Sequence, residues 1–342
     1  MRFFFSLLLL TASAVRLVAQ DFAGEFAKKV QELEKNKAAA VAGSDGWLFF
    51  GGELRLLSLG RFWGTDAPKA SRAHKPDLAD PVPAILDFQQ QLKARGIELL
   101  LVPVPPKASV YPEKIVSDVD ARTKDAAPVL HEFYEQLRAS GVDVLDLGKL
   151  FIAKRDGTRG SVFCKTDSHW SGLGCVLAAE AIADKVRGKI SKSAGEKEFV
   201  AEWKNAEREG DLAGLLGREG RQVPPETIAV RRVSEKATGA AVHEDPNSPL
   251  LLLGDSHTLI YHDRDFLAVQ AGLVDQLALQ LGFAPDLIGT SGSGATPVRV
   301  NLYRRSVKDP GYLTKKKVVV WCFAAREFTE ATEGWAKVPV AK

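Results

Sequence analysis

The chain of 342 residues lacks a charge excess large enough to point to a polyanionic partner: 46 lysines and arginines face 43 aspartates and glutamates, a formal net charge of +3. The bases are scattered among acids instead of gathered into one stripe, so no nucleic-acid partner is expected. Cysteine is scarce. Cys164, Cys175 and Cys322 leave an odd thiol over, and their spacing does not resemble a zinc site. Cys322, inside VVVWCF, reads as a core residue, while Cys164 and Cys175 could pair. After residue 20 no apolar run reaches the roughly 20 residues that a membrane-spanning helix needs. There is no internal repeat and no low-complexity tract. The glycine-rich TSGSGATPVR at 290–299 lacks the Gly-Lys-Ser/Thr ending of a phosphate loop, so nucleotide binding is not expected, and nothing else in the sequence asks for a cofactor.

With 45% hydrophobic and 26% charged residues, the chain can bury a full core. The first twenty residues, MRFFFSLLLLTASAVRLVAQ, place an early base, Arg2, before an apolar run from Phe3 to Leu10 and then small residues. That pattern predicts an export signal over 1–19, and Arg16 interrupts it too soon for a membrane anchor. No cysteine lies near the expected cut, so no lipid tether is indicated. Residues 22–342 are expected to form a single domain with an insertion at about 191–248, a segment rich in charge that holds TIAVRRV as one possible strand.

Phe26, Val30 and Leu33 share one face of a helix predicted over 22–40, and GSDGWLFFGGELR at 43–55 reads as a turn opening a short strand. Gly60 to Pro83 looks irregular. Beyond it, apolar runs alternate with helical patterns: a helix at 83–95, IELLLVPVP at 97–105, a helix at 124–139, VDVLDL at 142–147, and a long helix over 171–190. Then come LLLLGDS, a helix at 264–281, DLIGTSG, a helix at 297–307, and KVVVWCFA at 317–324. Nearly continuous apolar strands alternating with helices predict an α/β fold, a three-layer α/β/α arrangement with a mostly parallel central sheet. In such sheets ligands bind beyond the carboxyl ends of the strands, which sets Pro105-Pro106-Lys107, Gly254-Asp255-Ser256, Gly289 to Gly292 and Ala324-Ala325-Arg326 along one rim.

Ser256 follows the apolar run from Leu250 to Leu253, where a sharp turn would expose its hydroxyl and free its N–H as an oxyanion donor. A serine needs a base to become a nucleophile. His169, two residues after Asp167 and just ahead of the long helix, is the candidate. In an extended segment the two side chains point the same way, so Asp167 can hold the imidazole in the tautomer that faces Ser256. Asp255 is expected to brace the turn, with His257 helping to shape the pocket. A competing arrangement makes Asp167, His169, Asp255 and His257 a mixed metal site, but it leaves the serine idle, so no metal is expected. Gly292, Ser293 and Gly294 could supply a second backbone donor to the oxyanion, Arg299 could meet an acyl or sugar oxygen, and Trp170 could stack on a sugar or simply pack.

Taken as a set, GSDGWLFFGGELR, PVPPKASVYPE at 103–113, TDSHWSGLG at 166–174, GDL at 210–212, GDSH at 254–257 and the terminal VVVWCFAAREF resemble the alginate O-acetyltransferase family. Its catalytic domain is similar to the SGNH hydrolases with the motif order rearranged. The resemblance implies a periplasmic enzyme that carries acetyl on a serine to hydroxyls of an exported polysaccharide, with Asp167, His169 and Ser256 as the catalytic set. It also implies an acetyl donor supplied by a membrane-bound O-acyltransferase partner. Larger family members carry a carbohydrate-binding module after this domain, and with the chain ending at Lys342 none is expected here. A polysaccharide acetyl esterase and a non-catalytic polysaccharide-binding assembly subunit remain the alternatives.

Overall fold

The computed structural model describes residues 22–117, 124–190, 197–216, 223–263, 267 and 269–342. The export signal expected over 1–19 lies outside the described residues. In chain order the main elements begin with α1 (22–36), β1 (Ala40–Ala42), β2 (Leu48–Phe50), α2 (Gly51–Ser58), α3 (Pro81–Lys93), β3 (Glu98–Val104), α4 (Pro128–Ala139) and β4 (Asp143–Val144). They continue with α5 (Gly148–Lys154), α6 (Gly172–Val186), β5 (Phe199–Arg208), β6 (Glu226–Glu235), β7 (Leu250–Gly254), α7 (Leu273–Leu281), β8 (Asp286–Gly289), α8 (Thr296–Lys308) and β9 (Val318–Ala324).

Five of these strands form one parallel sheet in the order β4-β3-β9-β7-β8. Its middle strands are apolar on both faces: every residue of β9 and β7 is buried. Such strands cannot present a wet face, so both faces must be covered by helices. The connection from β3 to β4 and that from β7 to β8 run in opposite directions across the sheet. Because crossovers between parallel strands are right-handed, α4 and α7 fall on opposite faces. On one of these faces the Trp321 ring of β9 meets Phe88 of α3 edge-on, with ring centroids 5.2 Å apart, and lies under Arg299 of α8 at 5.2 Å.

The segment between 197 and 248 stands outside this rhythm. The described residues there build a two-stranded antiparallel ribbon, β5 and β6, paired from Phe199↔Glu235 to Arg208↔Glu226. TIAVRRV is indeed a strand, but its partner FVAEWKNAER was not legible because no residue of β5 is buried. VDVLDL contributes only Asp143–Val144 to the sheet, and of the helix expected over 264–281 the described part is Leu273–Leu281, with 264–266 and 268 lying outside the described residues. Gly60 to Pro83, expected to be irregular, holds a short helix, Ala67–Ala70, two 3-10 turns, Gly64–Asp66 and Pro76–Leu78, and the start of α3 at Pro81, and its Phe62 and Trp63 are core residues. All three cysteines are free and buried, so Cys164 and Cys175 do not pair.

Candidate active site

Strand β7 delivers the serine. Gly254 is its last residue, and a Cβ there would lie 1.8 Å from the Cys322 carbonyl oxygen, so only glycine allows β7 and β9 to stay this close where the chain turns. Ser256 then opens a single 3-10 turn, Ser256–Thr258, with Asp255 as its N-cap. At the first position of such a turn the serine N–H has no helical acceptor to serve. Asp255 fixes the turn to the sheet: its Oδ1 accepts from His257 N at 2.9 Å and lies 3.1 Å from His257 Nδ1, while its Oδ2 accepts from Ala324 N at 2.7 Å.

The base arrives from the loop before α6. Residues Phe163 and Trp170 bridge across that loop, and Cys164 N donates to His169 O at 3.2 Å, so residues 164–169 form a tight turn instead of the extended segment expected. The two side chains still meet, through the turn itself: Asp167 Oδ1 accepts from His169 N at 3.0 Å and lies 2.7 Å from His169 Nδ1. Ser171 ends the loop by capping α6, its hydroxyl accepting from Gly174 N at 3.3 Å. On the far side of the ring, His169 Nε2 stands 2.7 Å from Ser256 Oγ. Asp167, His169 and Ser256 thus form one hydrogen-bonded chain, 5–6% of His169 and Ser256 remaining exposed.

A family model described as an SGNH hydrolase-like domain, acetyltransferase AlgX, matches residues 40–324. The chain belongs to that family. Among curated relatives, the probable alginate O-acetylase AlgJ of Pseudomonas putida is 26% identical over 303 residues, covering 86% of this chain and 71% of the relative. The protein of the same name from Pseudomonas aeruginosa is 28% identical over 186 residues, 54% of this chain and 42% of the relative, so the match spans less than half of that protein. The fold is shared with the O-acetyltransferase domain of Pseudomonas putida AlgJ, at a TM-score of 0.63, 23% identity and coverage of 85% of this chain and 92% of that one. It is also shared with Pseudomonas aeruginosa AlgX, at 0.59, 17%, and coverage of 83% and 62%.

Around the three residues sits a dense charge network that sequence reasoning missed. Burial pushes the Asp167 carboxyl up, but His169 and Arg208 outweigh it and hold the group below the usual carboxylate range. Arg208 contributes a Nε contact at 2.9 Å and a Nη2 contact at 2.8 Å, both to Asp167 Oδ2. Lys107 is fully buried under the loop, donating its ammonium to the carbonyls of Leu48 at 2.9 Å and Asp167 at 2.6 Å, and its N–H to Glu53 at 3.0 Å. Arg326 in turn reaches Glu53 at 3.4 Å. The only early signal for these was Lys107 and Arg326 standing at predicted strand ends. Beside the serine, burial lowers the His257 imidazole against the pull of Asp255, and its Nε2 is buried without a partner.

The remaining residues named from the sequence are placed as follows. Gly294 N and Ser293 Oγ each donate to Glu327 Oε2 at 3.3 Å, so this loop answers a buried carboxylate and not an oxyanion beside Ser256. Gly292 only makes the turn, at φ +78°. Arg299 is buried between Trp321 and Trp335, with its guanidinium donating to Ala295 O, Ala336 O and Thr296 Oγ1, which makes it a structural cation. Trp170 is fully buried against His257, with rings edge-on at 5.1 Å, so it packs and offers no face to a sugar. As for metals, Asp167, His169 and Asp211 have ligand atoms within 4.8 Å of one another. The Arg208 guanidinium already sits on Asp167 there, and a second cation would meet its charge.

Proposed function

We propose that this chain is a serine-dependent O-acetyltransferase that acetylates hydroxyls of an exported polysaccharide of the alginate kind. The 2.7 Å contact between His169 Nε2 and Ser256 Oγ carries the reading. Asp167, held ionised, keeps the proton of His169 on Nδ1 and leaves Nε2 as the acceptor. Ser256 Oγ attacks the acetyl carbonyl of the donor as His169 takes the hydroxyl proton. The backbone N–H of Ser256 faces the oxyanion. Collapse of this intermediate breaks the bond to the donor, whose leaving group receives the proton from His169, and acetyl-Ser256 remains. A sugar hydroxyl then repeats the sequence in reverse, giving its proton to His169 and taking the acetyl group.

The names of the relatives support a polysaccharide acceptor, and the leader read over residues 1–19 supports action in the periplasm. The acetyl donor would come from a membrane-bound O-acyltransferase partner. Intact mass after incubation with an activated acetyl ester should show one acetyl group on the wild type and none on Ser256→Ala, whose turnover falls by at least about a thousandfold. Acetyl release is then compared with and without oligosaccharide. Acetylated sugar supports the transferase, whereas release to water alone would reassign the chain as an esterase.

A further inference from the structure

The two-stranded ribbon of β5 and β6 ends at the Asp-x-His loop, and nearly every residue of that loop is fastened to it. Glu226, the β6 residue paired with Arg208, accepts from Lys165 N at 2.7 Å and Thr166 N at 3.2 Å. Leu212 N donates to Thr166 O at 3.2 Å, and a Cβ on Gly210 would lie 2.0 Å from that same oxygen. Asp211 accepts from Ser168 N at 2.7 Å and Ser168 Oγ at 2.6 Å, while its own N–H donates to Asp167 Oδ2 at 3.2 Å. Arg208 completes the set on Asp167.

From this placement we propose that the ribbon is a positioning clamp for the catalytic loop: Glu226 and Asp211 fix its backbone, and Arg208 fixes the carboxylate that orients His169. The inference rests on the catalytic reading above. Its physical basis is that Asp167 is fully buried, and a buried carboxylate stays charged only when its lone pairs are answered. One oxygen faces His169. Among the described residues the other is answered by Arg208 at the end of β5 and by the N–H of Asp211, just past it. Arg208 is a positioning residue: its guanidinium meets Asp167 Oδ2 and acts on the histidine through that carboxylate.

The groups that face Asp167 are His169 from its own loop, Arg208 from β5, Asp211 from the connection after β5, and Lys107 from the end of β3 through the Asp167 carbonyl. Of these, Arg208 and Lys107 carry the compensating positive charge from outside the loop. Removing Arg208 takes a positive charge away from the hydrogen-bonded Asp167–His169 pair, so the pair takes up its proton at a higher pH and the rate falls first on the acid side.

The test follows p-nitrophenyl acetate turnover against pH in the full chain, for the wild type, Arg208→Gln, Arg208→Lys and Glu226→Gln, with melting curves alongside. Arg208→Gln should move the acid limb up by about one pH unit and lower kcat at pH 6 about tenfold, with KM nearly unchanged. Arg208→Lys should return the limb to its wild-type position. Glu226→Gln should lower kcat several-fold without moving the limb. An acid limb in Arg208→Gln that coincides with the wild type, or a loss that Arg208→Lys does not restore, would overturn the proposal. Should Arg208→Gln not fold, a wild-type kcat in Glu226→Gln overturns it instead. Failure of the catalytic reading is separate: it shows as undiminished turnover in Ser256→Ala.

Discussion

The tripeptide Asp-Ser-His occurs twice, at 167–169 and at 255–257, and the two copies begin with the same local geometry. In each, the aspartate Oδ1 accepts from the histidine N–H two residues on, at 3.0 and 2.9 Å, and lies against the same ring's Nδ1, at 2.7 and 3.1 Å. What separates them is everything the other atoms touch. The second oxygen of Asp167 meets an arginine from the ribbon, whereas that of Asp255 meets the backbone of β9. His169 turns its free nitrogen to a hydroxyl, while that of His257 faces no partner. The serines divide as well: Ser256 lies against an imidazole nitrogen, and Ser168 donates to Asp211. Identical sequence makes identical Asx-type turns, and tertiary surroundings decide which one does chemistry.

The pair of aspartates gives the largest contrast. Asp167→Asn should reduce acetyl turnover by about 10⁴, because an amide no longer fixes the tautomer that leaves His169 Nε2 as acceptor. Asp255→Asn removes a carboxylate that braces a turn, and should lower stability by about 2–4 kcal/mol while leaving the folded fraction much more active than Asp167→Asn. Urea titration gives the first quantity and turnover per folded molecule the second. Equal rate losses in the two variants would erase the distinction drawn here.

The stable half of this contrast was legible in the sequence and the tuned half was not. Leu250 to Leu253 and Val318 to Ala324 announce buried parallel strands because nothing but a covered sheet accommodates them, and the rim position of Ser256 follows from that alone. Asp167 and His169 were readable because a two-residue spacing creates their contact within one turn. Arg208 reaches Asp167 across 41 positions on a strand whose own pattern carries no buried face, so no local period marks it. Arg299 misleads for the opposite reason. A cation near a glycine loop suggests a ligand site, yet two tryptophans brought in from β9 and the C-terminal segment enclose it.

A second contrast concerns neighbouring charge. Where Asp167 has Arg208, Asp255 has a carboxyl close by: burial and the Asp255 charge push Glu327 up to about 7. Glu327 and the two aspartates therefore contribute to stability with opposite signs. Asp167 and Asp255, both held below the usual range, stabilise the fold above the unfolded carboxylate pKa near 3.9, and lose that contribution as the pH falls through their lower folded values. Glu327 is raised, so it weakens the fold as the pH climbs from the ordinary glutamate value of 4.5 to about 7, and the penalty is then constant. Glu327→Gln keeps an acceptor for Ser293 and Gly294 while removing the titration. It should leave stability nearly unchanged below pH 4.5 and raise it by up to about 3 kcal/mol at pH 8, measured by urea unfolding. A variant that is equally or less stable than the wild type at pH 8 would mean that Glu327 is ionised without penalty.

The two serines give the smallest effect and the cleanest control. Ser168 Oγ donates to Asp211 Oδ2 at 2.6 Å and stands 3.5 Å from His169 Nδ1, so it is near the base without lying on the path of the proton. Its removal deletes one hydrogen bond to a carboxylate that is partly exposed and can turn to water. Ser168→Ala should lower stability by about 1 kcal/mol and change turnover by no more than a few-fold. Asp211 would keep its bond from the Ser168 backbone N–H, so the clamp on the loop would hold. A loss in Ser168→Ala approaching that of Ser256→Ala would instead place the first hydroxyl on the reaction path, and the two Asp-Ser-His turns would then share the chemistry.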